Sequence, residues 1–401
     1  MNTAQSSQAR PVVMPRTAER NESKTSSKTL VQAKGTVDYA LLLVVVILIC
    51  IGIVMVLSSS YMTTARSAHF SHNPFFFFTQ HVVWVLVGTV GLIVAWFVPY
   101  TTLRSVAIPF YLITVGFLTG VLFVGFATNG ATRWIPFGPI QFQPSELARP
   151  AVIFLLAMLI ERFKNMATTL HGNLILFGFI MVPALLIIYA GGMSITIIVV
   201  VVGAGIIAIC SPFFKWYLLT GGLAGTLVAA YLFVDYTFGL SFRGQRFGAW
   251  LDPFQYTTGT GWQVIQSLYA IASGGWFGLG VGQSRQATFI PESHNDMIFA
   301  VIIEEIGVVG ASLVVLLFAL LIWRGIVIAL RAPNLFCSIT ALGITLAFGV
   351  QAFINMAVVT NLIPNTGVNL PFISYGGTSL VTSMGMVGVL LSISRFSMKK
   401  T

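Results

Sequence analysis

Residues 289–307 read FIPESHNDMIFAVIIEEIG and hold four of the eleven acidic residues in a chain of 401. Glu292 and Asp296 stand just before an apolar run, and Glu304 and Glu305 stand inside it. The run carries no other charge before Arg324, which makes it longer than the roughly 20 apolar residues a helix needs to cross a bilayer core. Ionisable groups inside such a helix are costly unless they face a cavity or a partner. The stretch therefore reads as a membrane helix with one carboxylate at its mouth and two buried in its body.

The rest of the chain agrees. Hydrophobic residues make up 56% and charged residues 8%, with a mean hydropathy of +0.90, which excludes an ordinary soluble domain. The fold class expected is an all-α integral membrane protein. Residues 1–36 are the one long hydrophilic stretch, with six Lys or Arg among Ser, Thr, Gln and Pro, and read as a disordered basic tail rather than a signal peptide. Cys50, Cys210 and Cys337 form no CxxC pair and read as small buried hydrophobes. The net charge of +10 sits in the tail and at the ends of apolar runs, so it reads as membrane orientation, not as nucleic-acid binding.

Ten apolar runs are separated by Gly, Pro or charge, at about 38–60, 79–98, 104–126, 145–161, 173–190, 193–210, 214–234, 297–323, 337–360 and 371–394. The fifth and sixth are divided by YAGGMS at 189–194, whose glycines suit a tight reversal. Ten spans form a membrane domain over 37–396, followed by a short C-terminus at 397–401. With the tail inside, fifteen Lys or Arg fall on the inner side and six on the outer. Both termini are therefore expected in the cytoplasm, and the long loop 235–296 between spans 7 and 8, with Asp296 at its end, on the opposite side. Apolar pieces of that loop such as VIQSLYAIA are too short to span and suit short helices lying against the membrane. The uncharged segment 361–379, rich in Gly, Pro and hydroxyls and including Ser374, suits irregular backbone lining a cavity.

Few ionisable groups lie at membrane depth. Glu304 lies about 12 Å deeper than Asp296 along a helix, and about 80° around it. Glu146 and Arg149 in QPSELARP are spaced i, i+3 and can touch. The bland readings are a first-turn acid for Asp296 and for Glu146, internal structural partners for Glu304 and Glu305, and a solvated loop histidine for His294. His294 between Glu292 and Asp296 lacks a recognised metal spacing. No phosphate loop, dinucleotide fingerprint or nucleophile elbow is present. Catalysis must then rest on carboxylates and on Arg149, Arg243, Arg246 and Arg285: a general base with cations meeting an anionic leaving group. Glycosyl transfer, phosphoryl transfer and proton-coupled transport all remain open on these residues alone.

These motifs resemble the SEDS family of shape, elongation, division and sporulation proteins, bacterial peptidoglycan glycosyltransferases. The likeness runs from about 37 to 395 through DYALLLVVVILICIGIVMVLSSS, HNPFFFFTQ, TRWIPFGPIQFQPSELARP, LDPFQYTTGTGWQVIQSLYAIASGGWFGLGVGQS, the opening stretch and NLPFISYGGTS. The compact GQSRQATFIPES favours the division and sporulation (FtsW/SpoVE-like) branch over RodA-type members.

The resemblance implies a ten-span enzyme of the bacterial cytoplasmic membrane that polymerises lipid II on the outer face. Asp296 falls on the family's essential aspartate and would act as general base. Glu146 and Arg149 would line the cavity with Arg243, Arg246, Glu304, Glu305 and Ser374, and Glu292, His294 and Arg285 would stand at the substrate entrance. A divalent cation, Mg or Mn, could assist the pyrophosphate. The partners implied are a class B penicillin-binding protein and other division or sporulation membrane proteins. Three departures stand out: HND replaces the usual HTD at 294–296, Arg149 replaces a lysine, and AGGMS lacks the acid common between the fifth and sixth spans. A lipid II flippase and a non-catalytic divisome scaffold are the competing readings.

Overall fold

The computed structural model describes residues 37–66, 72–124, 126–128, 131–137, 140–238, 242–257 and 259–396. The expected tail at 1–36 and C-terminus at 397–401 lie outside them. In chain order the helices are α1 (Tyr39–Arg66), α2 (Phe76–Phe97), α3 (Tyr100–Val124), α4 (Ser145–Arg162), the short α5 (Lys164–Thr168), α6 (Leu170–Tyr189), α7 (Met193–Cys210), α8 (Phe214–Phe238), α9 (Phe242–Leu251), α10 (Thr260–Gly274), α11 (Ile298–Leu330), α12 (Leu335–Val359) and α13 (Gly377–Arg395). Among the described residues, nine of these are long and apolar enough to cross a membrane.

The tenth expected run, α4, differs from those nine in kind. Its 18 residues carry Glu146, Arg149, Glu161 and Arg162, and nearly all the others are buried. It packs against α3, α7, α12 and α13. An apolar helix surrounded by protein can hold charge that a lipid-facing one cannot, because neighbours supply partners in place of water.

Several boundaries moved. α1 runs on to Arg66, and α13 begins at Gly377 rather than 371 because residues 361–376 stay irregular. A small antiparallel sheet, β1 (Phe126–Thr128), β2 (Ala131–Phe137) and β3 (Ile140–Phe142), fills the connection from α3 to α4. Its strands are too short to register against the apolar runs on either side, so it reads only as a loop in sequence. The YAGGMS reversal is as expected, with Gly191 at φ 85°.

At one end of the bundle Asp38 caps α1 by accepting from the Leu41 amide at 3.0 Å and pairs with Arg324 at 2.6 Å. Ser394 near the end of α13 receives the Asp38 amide at 3.2 Å. Three helices are thereby tied where α1 starts and α13 stops.

The decisive departure from regularity is in α11, where Gly307 has φ 69° and ψ −177° and breaks the helix into two pieces. The segment after α10 docks into the break: Leu279 and Gly280 amides donate to Glu304 and Glu305 carbonyls at 2.9 Å, and Val308 and Val309 amides donate back to Gly275 and Trp276 at 3.0 and 3.1 Å. A helix break in a membrane must re-satisfy its freed backbone groups, and here a neighbouring loop does so. The approach is so close that a Cβ on Gly307 would stand 2.3 Å from the Trp276 carbonyl oxygen, and one on Gly278 2.2 Å from that of Glu305.

Candidate active site

Asp296 precedes the first residue of α11 and does not cap it; the N-cap is Met297. Its position is held through its backbone, since Asn355 on α12 donates from Nδ2 to the Asp296 carbonyl at 2.7 Å and to the Val368 carbonyl at 2.7 Å. One amide thus joins the mouth of α11 to the irregular segment before α13, and leaves the carboxylate for other work. Gln263 on α10 reaches Asp296 Oδ1 from Nε2 at 3.4 Å and the Pro291 carbonyl at 3.2 Å. Asn365 donates to Gln263 Oε1 at 2.9 Å and receives the Gly367 amide at 3.1 Å. Gly367 itself, at φ +65°, lies where a Cβ would come 3.5 Å from Asp296 Oδ2, so its lack of a side chain keeps that face of the carboxylate open.

The carboxylate is half-buried. Burial, reinforced by the charge of Glu292, pushes its pKa from 3.8 up to about 7, against the opposing pull of backbone N–H groups and Arg246. Arg246 on α9 is half-buried and holds its proton less firmly than usual because of that burial, with Asp296 pulling the other way. Arg133 on β2 is likewise lowered, first by burial and then by the nearby charge of Arg246. Asp296, Arg246 and Arg133 therefore form one electrostatic neighbourhood of one carboxylate and two guanidinium groups. Sequence reading left Arg133 out of the site; its signal was only its place in TRW beside an aromatic. Arg133 also donates to the Gly191 carbonyl, and Ser194 Oγ donates to the Thr366 carbonyl. The turn that lacks the expected acid is thus still bound to both β2 and the 361–376 segment.

Glu292 is exposed at φ 57°, accepts from Asn295 Nδ2 and stands close enough to act on Asp296. Arg285 is exposed, with its backbone amide given to Glu304 at 3.0 Å. Arg243 lies on α9.

His294 corrects the expectation of a solvated loop residue. It is buried, with its ring centroid 4.0 Å from that of Phe77 and 5.5 Å from that of Tyr375, and its carbonyl accepts from the Tyr375 amide at 2.9 Å. Burial lowers its pKa to about 4, so it is a neutral aromatic wedge at pH 7. The clue in the sequence was the FFFF run at 75–78, which has to pack against something.

Glu146 and Arg149 form a buried ion pair on α4. Arg149 also donates to Gln351 Oε1, and Gln351 donates to the Asn369 carbonyl at 2.9 Å. Gln351 and Asn355 are one turn apart on α12, so the ion pair supports the same irregular segment that Asn355 ties to Asp296. Ser374 is buried in that segment, accepting from the Leu370 amide at 2.8 Å and returning its own amide to the Leu370 carbonyl at 3.1 Å. It holds the backbone of that segment.

Glu304, with no exposed surface, accepts from the Arg285 and Gln286 amides at 3.0 and 3.2 Å and from the Ser284 and Ser273 hydroxyls. Glu305 accepts from Ser58 on α1. Both are the internal partners expected of them, and together they latch the 273–286 segment and α1 to the break in α11.

Removing the shared amide tests the arrangement. Asn355→Ala leaves two carbonyls without their donor, which is expected to cost about 1–3 kcal/mol and to lower the thermal midpoint of the purified protein. An unchanged midpoint would mean that Asn355 holds nothing in place.

The cell cycle protein family FtsW/RodA/SpoVE matches residues 39–399 of the chain. Stage V sporulation protein E of Bacillus subtilis (strain 168) is 36% identical over 373 residues, covering 91% of this chain and 98% of the relative. A probable peptidoglycan glycosyltransferase FtsW of Geobacter sp. (strain M18) is 37% identical over 367 residues, covering 89% and 96%. Among solved structures, a chain of a peptidoglycan synthase complex that coordinates polymerization and crosslinking has a TM-score of 0.73 at 24% identity, covering 90% of this chain and 98% of that one. The rod shape determining protein RodA of Thermus thermophilus has a TM-score of 0.66 at 23% identity, covering 91% and 99%. These likenesses run the length of the membrane domain, and on them this multi-pass membrane chain belongs to the FtsW/RodA/SpoVE family.

Proposed function

We propose that the chain is a peptidoglycan glycosyltransferase that polymerises lipid II, with Asp296 as its general base. The observation that carries this is the Asp296 carboxyl itself: half-buried, raised to about 7 and within the field of Arg246. A base is most useful when its pKa lies near the working pH. Asp296 would take the proton from the 4-hydroxyl of the acceptor sugar as that oxygen bonds to C1 of the donor. The C1–O bond to undecaprenyl pyrophosphate breaks with inversion, giving a β-1,4 link. Arg246 and Arg133 would meet the negative charge of the leaving diphosphate, as guanidinium groups do well. The names of the curated relatives support the activity.

The transport reading needs an acid at membrane depth that is free to relay protons. Glu304 is instead engaged by two backbone amides, so the enzyme reading is preferred. Among the described residues no group of three or more His, Cys, Asp or Glu comes together. Both termini are assigned to the cytoplasm and Asp296 to the outer face, on the asymmetry of Lys and Arg. A class B penicillin-binding protein is assigned as partner, by analogy with the synthase complex whose chain has the same fold.

The test is reconstitution with the cognate transpeptidase and lipid II, reading glycan length on gels across pH. Polymerisation should rise with pH through an inflection near 7, because only the ionised carboxylate accepts the proton. At pH 5.5 the rate should be about thirtyfold below its alkaline plateau. A flat profile from pH 5.5 to 8 removes Asp296 from the role of base; no polymer at any pH from the native complex removes the activity.

A further inference from the structure

A cavity of about 420 Å³ lies at the other end of the molecule, between the start of α3 and the end of α4. Its rim carries Arg104 and Arg162, the hydroxyls of Tyr100 and Thr101, and an apolar wall of Ile108 and Met158. Tyr100 packs edge-on against Phe396 at 5.4 Å, and Ser392 donates to the Val98 carbonyl at 2.7 Å. The cavity is thus at the level where α13 ends and spanning helices meet headgroups. α4 separates it from Glu146 by about 24 Å of helix.

We propose that this cavity binds the phosphate headgroup of an anionic membrane phospholipid. Arg104 pairs with Glu161 at 3.0 Å, yet 47% of its side-chain surface remains exposed. Arg162 rests over the Phe163 ring at 5.6 Å. Two guanidinium groups against one carboxylate leave a net positive charge on the rim. A phosphate meets such a rim well, since guanidinium groups bind its oxygens in pairs.

What favours a lipid over a free ion is the surface leading away from the cavity. Arg104, Ile108 and Leu112 are spaced i, i+4, i+8, each about 40° on from the last, and so share one broad face of α3. Ile108 and Leu112 are both exposed apolar residues, on a helix long and apolar enough to span. A headgroup held at Arg104 would lay its acyl chain along that stripe. Basic pockets between spanning helices at headgroup level are where anionic lipids are recognised. Nothing in this site touches the Asp296 chemistry, so the proposal stands or falls apart from the assigned activity.

The test uses the full chain in detergent, titrated with phosphatidylglycerol or phosphatidylcholine and read by native mass spectrometry. Native protein should retain phosphatidylglycerol preferentially. The Arg104→Gln, Arg162→Gln double variant should lose that preference by about fivefold per arginine, while Arg104→Lys, Arg162→Lys should keep most of it. Arg162→Gln alone, which leaves the Arg104 to Glu161 pair intact, serves if the double variant fails to fold. Equal retention of the two lipids by native protein overturns the proposal, as does full selectivity in the Gln variants. Displacement of phosphatidylglycerol by millimolar inorganic phosphate would mark the cavity as a free-phosphate site and also overturn it.

Discussion

Asp296→Asn is expected to lower lipid II polymerisation by about 10²- to 10⁴-fold, the range that loss of a positioned proton acceptor produces, while the protein folds. The amide is nearly the same size, and the Asn355 bond is to the backbone carbonyl, which the substitution leaves in place. The same change should also stabilise the protein at alkaline pH. The Asp296 pKa is raised on folding, from 3.8 to about 7, so the favourable contribution of the neutral form is complete below the unfolded value. It declines as pH rises between the two values and is gone above about 7. At pH 8 the native protein carries an ionised carboxylate where burial disfavours it, and asparagine removes that cost. Thermal unfolding at pH 5, 6 and 8 should show the variant's midpoint exceeding the native one by an increasing margin. A variant that polymerises at the native rate ends the catalytic assignment, and one less stable than native at pH 8 ends the account of the raised pKa.

The second large effect is expected at Gly307, 11 residues into the sequence beyond Asp296. Its backbone angles, φ 69° and ψ −177°, belong to a region open essentially to glycine alone. A Cβ there would also meet the Trp276 carbonyl at 2.3 Å and the Gly278 amide nitrogen at 2.5 Å. Strain and overlap together should make Gly307→Ala cost about 3–5 kcal/mol, seen as a large fall in thermal midpoint and loss of polymerisation. Gly116→Ala is the control, because a Cβ there would have no neighbour within 4 Å. It should leave both measurements nearly unchanged. Equal behaviour of the two variants would show that the break in α11 is not required.

The spanning helices and the position of Asp296 were legible because apolar length and an acid at the end of a run are local signals. Asp296, Glu304 and Glu305 separated by depth for the same reason. The amide network was not legible. Gln263, Asn355 and Asn365 carry no charge and come from α10, α12 and the segment beyond it, so no spacing joins them to Asp296. The break at Gly307 was hidden because a single glycine in a long, mostly apolar run does not by itself announce one, and its cause is the docking of residues 275–280 from an earlier part of the chain. His294 was misjudged because its burial depends on Phe77 and Tyr375, each far from it in sequence. Arg149 was read correctly as a partner of Glu146, but its reach to Gln351 required the helix packing to be known.

The docking at the break also has a mechanical meaning. The part of α11 before the break, the segment after α10 and the 361–376 segment are joined by backbone bonds or by amides that span two of them at once. The carboxylate of Asp296 therefore has no independent hinge. A push or pull on any one of these three segments reaches it as the displacement of a common anvil, against which a growing strand would have to slide.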